Sequence, residues 1–379
     1  MKITRIRWAP YRIPFSAVYE TAHGAATHRS GVLLRLEADS GHEGLGEASL
    51  DPSAPEDAVD AILPCIEALA SALLRAAPED VDSILEPYLT ADDAARAAHC
   101  AVETALADAG ARSAGQPLAA LLAQPGEGAS DTAFYRTAVP VNATIAARST
   151  EDAAAAALVA RAAGFGCLKL KVGMESTIAA EVARVATIRD IIGTDVKLRL
   201  DANGAWDEVT ATAAIRALAP YDIELLEQPV AAAELEALGR VRGAVTMTIA
   251  ADEAVTDYAS AERAIRHADV LVLKPMRLGG LSTTSYVARF AASSGLGVIV
   301  TTTIDSGIAT AMALHLAASL PDDGRAHGLA TASLLQSDLL TRPIAIDRGF
   351  MRLSDGPGLG IELDEAPVAR YTRDWRELG

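Results

Sequence analysis

A chain of 379 residues is too long for one simple core and long enough for one large domain with a smaller companion. Half of it is hydrophobic, 22% is charged and the formal net charge is −17, which argues against a nucleic-acid partner, because phosphate binding needs clustered Lys and Arg. No apolar run reaches membrane-spanning length, and Cys65, Cys100 and Cys167 form no CxxC pair, so a soluble cytoplasmic protein with no membrane contact, disulfide framework or zinc site is expected.

Up to about residue 50 the pattern has period two. The runs 31–37 and 44–48 flank the turn residues Asp39, Ser40 and Gly41, which predicts an antiparallel meander. Residues 55–122 then carry helical character, with a stop and restart at Gly115-Gln116-Pro117. Strands followed by a run of helices describe an α+β domain.

After about residue 134, short apolar strands alternate with helical stretches such as 177–192 and 258–267. Strands are predicted at 138–145, 167–172, 196–201, 223–227, 247–252, 270–275, 298–303 and 326–331. Repeated βα units suggest a barrel or an open doubly wound sheet, and the number of strands favours the barrel. From Gly349 the alternation stops. The run Asp355-Gly-Pro-Gly-Leu-Gly360 lacks the GxGxxG spacing, the following helix and the βαβ unit of a dinucleotide loop, so a turn is expected.

Charged residues fall where the barrel strands end. In Leu168-Lys-Leu-Lys171 the two lysines are two apart and share a face, a costly placement in a barrel interior unless something there uses them. Asp201, Glu227, Asp252 and Lys274 each close a later apolar run, at intervals of about one βα unit. That places all of them at the C-terminal ends of successive strands, the end where barrel enzymes carry their sites. Three converging carboxylates need a compensating charge, and a divalent cation such as Mg²⁺ suits hard oxygen donors better than zinc does. Lys171 and Lys274 come from strands on either side of the acids. A lysine with lowered pKa beside a cation can remove a proton next to a carboxylate and leave the new charge stabilised as an enediolate. Lys169 and the metal charge would push Lys171 that way.

These residues, with Asp201-Ala-Asn-Gly-Ala-Trp206, Glu227-Gln-Pro229, Asp252-Glu253 and Lys274 before Gly279-Gly280, resemble the enolase superfamily, in its muconate lactonizing enzyme subgroup. Gly41-x-x-Gly44-x-Gly46-Glu47, Asp108-x-x-x-Arg112-x-x-Gly115-x-Pro117 and the 355–360 run extend the resemblance over nearly the whole chain. It implies an α/β fold, a (β/α)₇β TIM-like barrel with an N-terminal α+β capping domain. The expected division is a cap over 1–125 with lid loops near 19–30 and 49–55, a barrel over 126–350, and a segment 351–379 returning to the cap. It also implies Mg²⁺, with Mn²⁺ as a substitute, on Asp201, Glu227 and Asp252. Lys171 would be the base, Lys169 its electrostatic partner and Lys274 the opposing acid/base or cation. Asn203 and Glu253 would orient the ligands. Asp305 would either tune a lysine or cap the next helix. His23, His28 and Arg29 fall in the lid and are read as substrate contacts. A homo-oligomer, dimer or octamer, is expected.

Subgroup members dehydrate to o-succinylbenzoate, cycloisomerise muconate, racemise N-succinylamino acids or epimerise dipeptides. The mandelate racemase branch, with a His–Asp pair on later strands, fits less well. So does dipeptide epimerisation, whose Asp-x-Asp on the eighth strand has no counterpart in Ala326-His-Gly-Leu-Ala-Thr331. The stretch 303–314 with His327–Thr331 is most similar to o-succinylbenzoate synthases, a lyase step of menaquinone synthesis acting on a small carboxylate. A non-catalytic binding protein on the same fold is the alternative from another class, and the intact set of acids and lysines speaks against it.

Overall fold

The computed structural model describes residues 1–21, 24–123 and 134–379. An antiparallel sheet comes first: β1 (Ile3–Thr21), β2 (Gly24–Ala38) and β3 (Glu43–Ser49) pair in succession. Tyr11, Ile13 and Phe15 point inward while Arg12 and Ser16 are exposed, as strand alternation requires. The β1–β2 hairpin stays paired to Thr21 and Gly24, past a register shift between Pro14 and Tyr19. The segment expected as a lid loop at 19–30 is therefore strand over its described residues, with its backbone groups satisfied across the hairpin.

Helices α1 (Ile62–Leu73), α2 (Val81–Leu89), α3 (Asp93–Ser113) and α4 (Leu118–Leu122) follow. Asp92 caps α3 by accepting from the Ala95 N–H at 2.9 Å. The α3 and β3 backbones touch. A Cβ on Gly44 would stand 1.9 Å from the Ala105 carbonyl oxygen, and one on Gly46 2.0 Å from that of Ala101. Close approach, rather than turn geometry, accounts for both glycines.

The second body is a curled parallel sheet. β5 (Ala143–Ile145), β6 (Cys167–Lys171), β7 (Lys197–Asp201), β8 (Ile223–Glu227), β9 (Ile249–Ala251), β10 (Val270–Leu273) and β11 (Gly297–Val300) pair in chain order. Helices α5 (Thr150–Ala162), α6 (Ile178–Ile192), α7 (Glu208–Leu218), α8 (Leu235–Ala244), α9 (Tyr258–Ala264), α10 (Pro275–Leu278) and α11 (Leu281–Ser293) connect them, and α12 (Gly307–Ser319) follows β11. The architecture is α/β, a (β/α)₇β-type barrel with an N-terminal α+β cap.

Two strand expectations change. The run 138–145 is split, because Val141 donates to the Gly349 carbonyl at 2.8 Å and Asn142 to that of His327 at 3.0 Å. Its first part, β4 (Ala138–Pro140), leaves the barrel for a small sheet with β12 (Ile346–Asp347) and β13 (Phe350–Arg352). The run 326–331 forms no strand. It closes the ring by single bridges, Val141 to His327 and Thr301 to Gly328, then turns where Thr331 donates to the Leu329 carbonyl at 2.9 Å. After α13 (Glu365–Tyr371), β14 (Arg376–Leu378) pairs with β1.

Buried carboxylates tie the cap to the C-terminal segment and to the barrel. Asp108 on α3 accepts from the N–H groups of Leu45 at 3.0 Å and Leu359 at 2.7 Å and from Arg112 Nε at 3.0 Å. Glu47 on β3 accepts from the N–H groups of Ser306 and Ala309, both at 3.0 Å, and so caps α12 from the other domain. No helix among the described residues is long and apolar enough to cross a membrane.

Two buried histidines act as neutral linkers. His315 Nδ1 accepts from the Ala119 N–H at 3.0 Å while Nε2 lies 3.1 Å from the Leu359 carbonyl oxygen. His327 Nδ1 accepts from the Val300 N–H at 3.1 Å. Burial pushes His315 down to about 4 and His327 down to about 3. Both folded values lie below the unfolded one, so the stability they contribute is present above pH ~6.5 and drains away as pH falls from there toward 3–4. The loss from His315 alone is about 3 kcal/mol. His315→Gln, which keeps an acceptor and a donor without titrating, is expected to flatten that slope in urea unfolding measured from pH 7 to 4.

Candidate active site

The strands bring the charged residues to one end of the barrel, in the order of the ring. Lys169 and Lys171 lie on β6, Asp201 ends β7, Glu227 ends β8, Asp252 follows β9 and Lys274 follows β10. Parallel register sets Lys171 beside Asp201, and Asp201 beside Glu227. All six line one pocket, about 120 Å³ in volume. Asp201, Glu227 and Asp252 are 2%, 2% and 4% exposed.

Lys169 Nζ bridges Asp201 Oδ2 and Glu227 Oε1, each at 2.9 Å. Lys171 Nζ donates to Asn203 Oδ1 at 2.8 Å, and Asn203 Nδ2 donates to Glu253 Oε1 at 2.8 Å. Lys274 Nζ is ion-paired with Asp252. Gln228 reaches from the β8 end to the next strand. Its Oε1 accepts from the Asp252 N–H at 2.9 Å and the Ala254 N–H at 3.2 Å. Asn203 at φ 44° and Gln228 at φ 39° hold left-handed backbone directly beside the acids, strain that the surrounding hydrogen bonds maintain.

Burial raises Glu227 to about 8, and the charges of Asp201 and Asp252 add to the rise. Glu253 is raised to about 7, by burial and then by Asp252. Burial also disfavours the charged forms of Lys169, Lys274 and Asp201, but their partners outweigh it. Lys169 is held well above the usual range by Asp201 and Glu227, Lys274 is raised by Asp252, and Asp201 is lowered by Lys169 and Lys171.

Among the described residues, no group of three His, Cys, Asp or Glu side chains is already gathered in a coordinating arrangement. Lys169 stands between two of the acids and Lys274 holds the third. The donor set nevertheless fits a hard divalent cation. It offers carboxylate oxygens and no imidazole or thiolate, and four carboxylates (Asp201, Glu227, Asp252, Glu253) face three lysines, a surplus that adds to burial in raising Glu227 and Glu253. Glu253 Oε2 is buried with no hydrogen-bond partner among the described residues.

The lid residues are placed differently from expectation. Arg29 is 2% exposed and faces inward. Its Nη2 pairs with Asp305 Oδ1 at 2.7 Å and donates to Thr303 Oγ1 at 3.1 Å, and the guanidinium also bonds Ser49 Oγ and the Leu50 carbonyl. It joins the lid hairpin to the barrel wall. Asp305 neither touches a lysine nor caps α12; Ser306 caps that helix, and Asp305 takes Arg29, Ser49 Oγ at 2.8 Å and the Thr303 N–H at 2.9 Å. His28 bonds Thr27 Oγ1 at 2.8 Å and lines a neighbouring pocket with Arg29 and Ser53. His23 lies outside the described residues. Arg29→Met should destabilise the protein by about 3–5 kcal/mol in urea unfolding, because it strands the buried Asp305, and Arg29→Met with Asp305→Asn should recover most of that loss.

Sequence reasoning missed the other side of the pocket, where Thr144, Thr301, Thr302, Thr303 and Thr331 face the charged arc, and Asp51 and Pro52 of the cap close over it. The end of β11 marks where Thr301, Thr302 and Thr303 begin. Nothing local marks them as pocket residues.

Two family models cover the chain: the mandelate racemase / muconate lactonizing enzyme N-terminal domain over residues 4–123 and the enolase C-terminal domain-like model over 151–367. The L-Ala-D/L-Glu epimerase of Bacillus subtilis (strain 168) is 33% identical over 95% of this chain and 97% of its own. The o-succinylbenzoate synthase of Thermobifida fusca (strain YX) is 38% identical over 63% of this chain and 72% of its own. The muconate lactonizing enzyme of Pseudomonas fluorescens, solved with muconolactone, superposes with a TM-score of 0.87 at 27% identity, covering 98% of this chain and 99% of its own. With both domain models matched and acids and lysines at successive strand ends, the chain belongs to the mandelate racemase/muconate lactonizing enzyme family and is an enzyme of the enolase superfamily, in the muconate lactonizing subgroup.

Proposed function

We infer that this enzyme removes the proton beside the carboxylate of a small substrate, with Lys171 as base and with Mg²⁺ held by Asp201, Glu227 and Asp252. One observation carries the reading: Lys171 and Lys274 end the strands that flank the three acid strands, so they stand on opposite sides of anything bound between them. Bound there, Mg²⁺ supplies positive charge where the substrate carboxylate gains its second negative charge. Lys169 bridges two of the acids and keeps them in place. Asn203 holds the Lys171 amine and links it to Glu253.

The reaction favoured is syn elimination of water from a hydroxycyclohexadiene carboxylate to give o-succinylbenzoate. Lys171 takes the α-proton and returns it to the hydroxyl leaving from the same face, so that water departs, while Lys274 stabilises the enolate. The absence of an acidic pair in Ala326–Thr331 and the 38% identity to an o-succinylbenzoate synthase support it. Racemisation or epimerisation is the second reading, favoured by the longer match to the epimerase. A direct assay with Mg²⁺ decides: absence of turnover of the cyclohexadiene substrate sinks the dehydration. Exchange of α-protons across a panel of carboxylates in D₂O, followed by NMR, tests the shared half-reaction.

A further inference from the structure

The pocket wall opposite the charged arc is built of hydroxyls whose hydrogens can be counted. Thr301 Oγ1 donates to the Gly328 carbonyl at 2.8 Å, and Thr303 Oγ1 donates to Asp305 Oδ1 at 2.6 Å. Both hydrogens are spent on the protein. Thr302 Oγ1 and Thr331 Oγ1 lie 2.8 Å apart, each belonging to a residue less than a tenth exposed. Whichever of the two donates, one bond uses one hydrogen, and the pair holds two. The other contact at Thr302 Oγ1 comes from the Ile304 N–H at 3.4 Å, so it uses a lone pair and no hydrogen. One O–H donor is therefore left over at a buried wall that lines the substrate pocket.

Ile304, Gly328 and Leu334, which complete this side of the pocket, carry no ionisable side chain. The remaining pocket acid, Asp51 of the cap, already accepts from the Ser53 N–H at 2.9 Å and Ser53 Oγ at 2.6 Å, and it feels Lys274 on the charged side. A substrate whose reacting carboxylate enters the charged arc extends its other arm toward the Thr302–Thr331 pair. We propose that this hydroxyl pair is the specificity-determining donor of the site and selects substrates bearing an oxygen acceptor, carbonyl or carboxylate, on the arm remote from the reacting carboxylate. The assignment rests on the reading of this pocket as the substrate site.

The test is calorimetric titration of the Mg²⁺-loaded enzyme with three benzoates: o-succinylbenzoate, 2-pentylbenzoate and 2-(4-aminobutyl)benzoate. The wild type is expected to bind the succinyl probe about tenfold or more tightly than the pentyl one, because a buried donor left unpaired penalises the analogue lacking the acceptor. Thr302→Val with Thr331→Val should erase that preference and leave the pentyl probe's affinity within about threefold. Thr302→Ser with Thr331→Ser should retain it. For a carboxylate that turns over, the double valine variant should raise KM and leave kcat nearly unchanged. Equal affinities for the succinyl and pentyl probes in the wild type, a preference for the ammonium probe, or a preference that survives the valine variant would each overturn the assignment. Absence of α-proton exchange in the wild type would overturn the catalytic reading instead, and the binding comparison would still decide this one.

Discussion

Lys171→Ala is expected to lower the exchange of a substrate's α-proton with D₂O by about 10³-fold, the scale of a positioned general base. The fold should survive, since Lys171 sits at the mouth of the barrel and its bond to Asn203 Oδ1 can pass to water. NMR of the α-proton signal measures the loss, and a melting temperature within a few degrees of wild type separates it from unfolding. Lys274→Ala sharpens the outcome. If one lysine moves both protons of an elimination, this variant still exchanges the α-proton, more slowly, because only enolate stabilisation is lost. If the enzyme racemises, each lysine serves one face of the carbon, and Lys274→Ala blocks interconversion while leaving exchange from one enantiomer. Unchanged exchange in Lys171→Ala would remove Lys171 from the role of base.

Metal removal should be as severe. Treatment with EDTA is expected to abolish turnover, and Mg²⁺ should restore it, with Mn²⁺ as a substitute. Asp201, Glu227, Asp252 and Glu253 face three lysines in a buried pocket, and burial with repulsion from Asp201 and Asp252 raises the affinity of Glu227 for its proton. A divalent cation relieves that repulsion, so Mg²⁺ at about 100 times its Kd should add about 2.7 kcal/mol of stability, read as a higher Tm by calorimetry. Glu227→Gln removes a ligand and its charge together. It should lose both the activity and most of the Mg²⁺-induced rise in Tm, although Lys169 still pairs with Asp201. A full rise in Tm in that variant would take Glu227 out of the metal site.

Much of this arrangement was legible in the linear chain because the barrel repeats. Each βα unit returns the chain to the same end of the sheet, so a charge closing each apolar run at regular intervals must join a ring. The spacing alone places Lys169 and Lys171, Asp201, Glu227, Asp252 and Lys274 at that end. The capping glycines were visible as a motif, but their cause, a strand lying against the α3 backbone at Ala101 and Ala105, was not. Arg29 and Asp305 show where the reading failed. Both stood in segments with the look of lid and helix cap, and both instead face each other across 276 residues of chain. A buried ion pair between distant segments has no local signature. The 326–331 run failed for a related reason: its apolar character is that of a strand, yet its backbone is held by single bonds to Val300 and Pro140 and then turns at Thr331.

The sequence by itself determined which charged side chains share the barrel mouth, since period-two faces and βα-unit spacing are local properties. Only the tertiary structure decided what shares that mouth with them. Thr302 and Thr331 are 29 residues apart and meet because the ring closes between them, and Asp51 arrives from a separate domain. Specificity depends on contacts between segments remote in the chain, and such contacts are products of closure, cap docking and burial rather than of any pattern along the residues.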